Sequence, residues 1–281
     1  MKQKHALNDY TPSMLPQNRR EIFFDVLKLH WKRLIFLGLI LLLFYLPILI
    51  VGIAKDTYIS LLYTNREESA ELLYQVMVIE ILHSIVNIPL FLIFSLGIAG
   101  ISRPLRQYGW EENVHTPTDF GKGIRDNGKH TALIALFSGI LYALCLILYY
   151  YSGTYRSPVM SLISLLPVGI SLLVVAPIFA IALIMIPIYQ GSLFATLKNA
   201  FFVFSRCVWR ILGVLILCAA IWIPSLIPNF FCRVFGSVGA VLLTPFAILA
   251  FALFCYNQFD LHLNPLVSPE LIGKGLPKEN I

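Results

Sequence analysis

Charge is scarce in this chain. Asp, Glu, Lys and Arg make up 13 % of its 281 residues, where soluble chains carry about 25 %. With 58 % apolar residues and a mean hydropathy of +0.78, too little polar surface remains to cover a soluble core. Lipid absorbs such apolar surface, and the chain reads as an integral membrane protein. Cysteine is equally uninformative as chemistry. Cys145, Cys207, Cys218, Cys232 and Cys255 form no CxxC pair, which argues against a disulfide framework and for small packing residues.

Catalytic signatures are also missing. The chain has no HExxH, GxSxG or SxxK, and its six histidines are scattered. No nucleophile and base share one membrane depth, so no enzyme, metal or cofactor is expected, and no nucleic-acid partner. The first 33 residues are polar and precede an apolar run of about 20, longer than the roughly 7–15 residues of a signal-peptide core. A retained first span is therefore favoured over a cleaved leader.

Long apolar runs are what the chain does have. They predict spans at about 34–54, 80–101, 131–151, 167–188, 211–227 and 236–256. The first, at about 1.5 Å per residue, reaches about 32 Å, enough for a hydrocarbon core of about 30 Å. Residues 1–33 read as a cytoplasmic tail and amphipathic helix. Asn18 and Glu21 form a capping-box start, Glu21, Asp25, Lys28 and Lys32 make one charged face, and Ile22, Phe23, Val26, Leu27 and Trp31 lie away from it. Lys55 to Glu71 reads as a polar connection. Prolines at 158, 167, 177 and 187 break the fourth run, predicting a short segment ending near Pro167 and then a bent span. Residues 190–210 form a second amphipathic connector, with Lys198, Asn199, Arg206 and Arg210 as its polar face, and 257–281 a cytoplasmic tail.

Orientation follows from basic residues in the loops. Seventeen of the 21 Lys and Arg fall on the side of the termini and four on the other, which places both termini in the cytoplasm of a cell-membrane protein. The expected fold is all-α: six transmembrane helices in three hairpins, with amphipathic interfacial helices on the cytoplasmic side. Each hairpin follows a basic, aromatic-containing helix, a pattern compatible with duplication or with inner-leaflet entry alone.

Three features carry functional readings. Gly123 to Lys129 satisfies GxxxxGK, but His130 follows the lysine and no strand precedes it, so a P-loop is rejected. Thr116-Pro117-Thr118-Asp119 instead starts a helix, and Lys122, Arg125 and Lys129 recur on one face of it, either as an inner-leaflet anchor that only fixes topology or as candidates for docking anionic lipid or a cytoplasmic partner. Glu80, His83 and Asn87 share a face of the second span, as interhelical hydrogen-bonding groups or as an opening for substrate or protons. Glu80 lies about 33 Å from Ser102 along the helix, at the outer boundary. Pro47, Pro89, Pro177 and Pro245 sit near mid-span, where broken helices build transporter sites or simply bend for packing. Ser95/Ala99, Ala176/Ala180 and Gly236/Ala240 mark expected close helix contacts.

The exit GIAGISRPLRQY, the segment DFGKGIRDNGKH and the stretch LKNAFFVFSRCVWRILGVLIL, taken over residues 34–256, resemble the YesL-like family of bacterial multi-pass membrane proteins. That resemblance implies association with sugar uptake systems and supplies no functional residues. Two functions are expected from the residues and the resemblance together. One is a small permease or accessory subunit of a solute uptake system. The other is a regulatory or scaffold protein that docks a cytoplasmic partner through its basic helices.

Overall fold

In the computed structural model, residues 16–65, 69–153, 157–189, 191–227 and 229–277 are described. The tail at 1–15, Arg66, Glu67 and Glu68 of the expected outer connection, Arg156, Gln190, Pro228 and residues 278–281 lie outside the described residues.

Among the described residues every regular element is helical. In chain order they are α1 (Arg19–Asn65), α2 (Ala70–Gly109), α3 (Thr116–Ser152), α4 (Pro158–Ile170), a π-turn at Ser171–Val175, and α5 (Ala176–Met185). There follow α6 (Leu193–Arg206), α7 (Val208–Ala219) with a tight helical turn at Ala220–Leu226, α8 (Phe230–His262) and the single turn α9 (Asn264–Val267). Six stretches are long and apolar enough to cross a membrane: α1, α2, α3, α4 with α5, α7 with its turn, and α8.

Their outer faces explain where they must sit. Leu43, Leu162 and Leu217 are 65 %, 67 % and 74 % exposed. Each such side chain forgoes about 1.5–3 kcal/mol of burial if that surface meets water, and dozens of others like them ring the helices. The chain is a multi-pass membrane protein.

Inside, Leu34, Leu37 and Leu41 of α1, Ile101 and Leu105 of α2, Ile181 and Met185 of α5, and Val241 and Leu249 of α8 form one buried core. The α1–α8 crossing is close because Gly38 lies against the Leu242 backbone; a Cβ there would sit 2.5 Å from its carbonyl oxygen. The most extensive helix pairing is α2 with α3, which joins spans expected in different hairpins. Gly123 packs on the Ala99 and Gly100 carbonyls, leaving no room for a side chain.

Several expectations change at the helix ends. The amphipathic segment before the first span and the basic segment at 117–130 are not separate helices. Each runs without a break into its span, as α1 and α3. No proline interrupts either junction, and each lead-in is tied to a neighbouring helix: Arg19 pairs with Asp260 at 2.7 Å, and Arg103 pairs with Asp126 at 2.9 Å and Asp119 at 3.6 Å. Half of the capping box is present: Asn18 Oδ1 accepts from the Glu21 amide, whereas the Glu21 carboxylate accepts from the Gln17 amide and from the Asn18 side chain. Glu21, Asp25, Lys28 and Lys32 are exposed and Ile22 and Val26 buried, but Trp31 is exposed beside Lys32.

The polar connection after the first span also begins later than expected, because α1 continues through Lys55 and Asp56 to Asn65. The short outer segment of the fourth run does not end at Pro167. Pro167 lies within α4, and the irregularity is the π-turn just before Pro177. Pro177 has no amide to donate to the residue four back, and the ladder adjusts there: the Ala176 amide reaches the Ser171 carbonyl. Ala176 is exposed, so the Ala176/Ala180 pair is not a close contact, whereas Ser95, Ala99 and Ala240 are buried. The C-terminal segment packs rather than trailing away. Lys274 lies 3.9 Å from the Trp110 ring centre, and its carbonyl accepts from Arg19 at 2.6 Å.

Candidate functional site

The polar stripe of α2 sits at the end of the helices opposite that Arg19–Asp260 contact. Lys55 is about 54 Å along α1 from Arg19. Because α1 remains helical beyond its apolar stretch, it carries Lys55 and Asp56 to the level of Glu80 on α2. The Lys55 ammonium pairs with Glu80 at 2.7 Å and with Asp56 at 3.2 Å. Arg233, near the start of α8, pairs with the other oxygen of Asp56. The α8 start is fixed by Asn229, whose side chain accepts from the Phe231 and Cys232 amides.

These four charges rim a cavity of about 370 Å³ between α1, α2, α8 and the turn at Ala220–Leu226. His83 lines it, together with Tyr45, Gly52, Ser225 and Ser237. Side-chain exposures of 15 % for Lys55, 18 % for Asp56 and 22 % for Glu80 leave these three largely desolvated, whereas Arg233, at 43 %, is open to solvent. Asn87 is one turn deeper and outside the cavity wall. Its amide donates to the His83 ring, 3.1 Å from Nε2, and its buried Oδ1 has no hydrogen-bond partner among the described residues. The three predicted residues thus form a continuous series, but Glu80 is bound to Lys55 and Asn87 to His83.

Lys55, Asp56 and Arg233 join the site without having been expected there. The sequence does carry a signal for them: opposite charges immediately after the first span, near the start of the second and just before the sixth. Asp56 supplies a carboxylate at the depth of Glu80, but Lys55 stands between the two. Among the described residues no group of three or more His, Cys, Asp and Glu side chains gathers to hold a metal.

The three helices that line the cavity each carry an internal proline, Pro47 in α1, Pro89 in α2 and Pro245 in α8. A second cavity, apolar and of about 180 Å³, lies between α2, α5, α7 and α8. Its one charged lining residue, Arg106, donates to the Pro187 carbonyl at 2.6 Å. Along α8 the two cavities are separated by the buried Ala240, Val241 and Pro245. The polar cavity therefore ends in a packed layer.

Lys122, Arg125 and Lys129 are exposed on α3. The opposite side of the same turns is occupied: Asn127 donates to Ser102 Oγ at 3.1 Å, and Asp119 accepts from the His115 amide at 2.8 Å, completing the helix start. The GxxxxGK segment is helical throughout. At the Arg19–Asp260 end, Tyr189 donates to Asn264 Oδ1 at 2.5 Å; burial and then the nearby Asp260 push its phenol well above the usual range. Comparison with protein-family models, curated proteins and solved structures returned no match.

Proposed function

We propose that this protein is a transport-related membrane protein, a small permease or an accessory subunit of a solute uptake system, and that the polar cavity is its solute-facing site. The observation that carries the reading is the cavity itself: charged and hydroxyl groups converge on a concave, partly desolvated space, as small-molecule sites do, at one end of helices that are otherwise apolar. The bias of 17 basic residues to four supports an orientation with this cavity outside and both termini in the cytoplasm of a cell membrane. The packed layer beneath it leaves the cavity open at one end, which on that orientation is the outer one, and the prolines in α1, α2 and α8 supply bending points close to it.

Uptake of labelled solutes into vesicles reconstituted with the purified protein tests the reading. Uptake lost in Asp56→Asn and His83→Ala variants that still insert supports it; uptake equal to that of protein-free vesicles across solute classes counts against it.

A second reading rests on the outward-facing Lys122, Arg125 and Lys129. At the cytoplasmic surface they attract anionic headgroups at roughly 1 kcal/mol each or an acidic face of a cytoplasmic or transport-system protein. Crosslinked partners lost on replacing all three, without change in uptake, would favour that docking role.

A further inference from the structure

The charges around the polar cavity cancel. Lys55 and Arg233 face Asp56 and Glu80, and each of the four is already engaged by another. The four form one neutral series, Glu80–Lys55–Asp56–Arg233, and a ligand with a single charge would leave that set with a net charge that nothing else in it offsets, which is costly where three of the four groups are largely out of water. A neutral polyol strands nothing, but it offers neutral hydrogen bonds in competition with charge-assisted ones that are about twice as strong. A zwitterion exchanges like for like. Its ammonium takes the place of Lys55 against Glu80 and Asp56, and its carboxylate takes the place of Asp56 against Arg233 and Lys55. Beside the polar His83, Tyr45, Ser225 and Ser237, the lining has an apolar part made by Ile48, Leu49, Ile53, Leu226, Phe230 and Val234.

Building on the reading of this cavity as the solute site, we propose that its ligand is a small amino-acid-like zwitterion, whose ammonium is held by Asp56 and Glu80, whose carboxylate is held by Arg233 and Lys55, and whose apolar side chain faces the aliphatic wall. A cavity of about 370 Å³ lies within the size range of small-molecule sites. The exchange also has a mechanical consequence. The Lys55–Glu80 pair ties α1 to α2, and the Asp56–Arg233 pair ties α1 to α8. A bound zwitterion loosens both ties at once while leaving every charge partnered, which frees the ends of the proline-bearing helices to move.

Calorimetric titration of the full chain in lipid nanodiscs tests this with alanine, leucine and phenylalanine. The comparators are 4-methylpentanoate and isoamylamine, which are leucine without its ammonium and without its carboxylate, and glucose. The expected result is binding of at least one amino acid, with both single-charge analogues weaker by ~10-fold or more. Asp56→Asn should weaken the amino acid by a similar factor while its elution profile stays that of the wild type. If that variant fails to fold, the selectivity of the wild-type protein decides alone. Glucose or a single-charge analogue binding as well as the amino acids, or in their place, overturns the zwitterion assignment and leaves the solute site standing. Absence of binding by all six probes overturns both.

Discussion

At the scale of single residues, the strongest commitments are the half-buried charges. Lys55 and Glu80 are 15 % and 22 % exposed and 2.7 Å apart, so removing one partner leaves the other poorly solvated. Lys55→Met and Glu80→Gln should each lower stability by about 1–2 kcal/mol, and the double variant by clearly less than the sum. Unfolding midpoints in one detergent, measured around the full cycle, check this; strict additivity would mean that the pair is not coupled. Glu111 is a different case. Its φ of 55° lies in the left-handed region, and burial, then the charge of Asp25, raise its carboxyl above the ordinary value of 4.5. A raised carboxyl stabilises the fold only while protonated, and that contribution is lost as pH rises from the unfolded value through the folded one. Glu111→Gly relieves the left-handed backbone strain, which should raise stability by on the order of 0.5–1 kcal/mol near neutral pH, and it also removes a charge whose own penalty solvent screens because Glu111 is exposed. The gain should shrink as pH falls below the ordinary value, and thermal unfolding at the two pH values reads it.

Helices and their contacts show best what is legible without coordinates. The apolar runs locate all six long helices, since a stretch that must satisfy its own backbone in lipid has little choice but helix. The stripe of Glu80, His83 and Asn87 is legible from spacing alone. Where each helix stops is not. Composition marks where the apolar stretch ends, but helices end at caps and prolines, and α1 and α3 pass from polar to apolar sequence with neither. For the same reason Lys55 and Asp56 look like loop residues in the sequence, and half of the charged rim stays hidden there. Proline position alone also misplaces the break in the fourth span, because a single amide bypassed by a π-turn costs less than ending the helix. Pro177→Ala should restore an ordinary ladder through 171–176, seen as increased amide-exchange protection there; unchanged exchange would place the origin of the turn elsewhere. Contact between α1 and α8 depends on Gly38. Gly38→Val would drive a side chain into the Leu242 backbone and should cost about 1–3 kcal/mol, read as a lower unfolding midpoint, whereas Gly52→Val, with open space at its Cβ, should cost far less.

For the molecule as a whole, the claim is an arrangement: six apolar helices, a charged cavity at one end, a packed layer below it and basic residues concentrated at the other end. Composition does not reveal the layer, since it depends on Ala240, Val241 and Pro245 being buried along α8 between the two cavities. The direction of the cavity is the part on which the proposed function turns, and side-specific labelling tests it most directly. Gly52 lines the cavity, and a Cβ added there would meet nothing within 4 Å. Gly52→Cys in a variant lacking the native cysteines therefore presents a thiol in the cavity without disturbing the packing. In intact cells a membrane-impermeant maleimide should modify it, and a cysteine at Arg125 should react only after the membrane is opened. Modification of Gly52→Cys only in opened cells, or not at all, would contradict an outward-facing solute cavity.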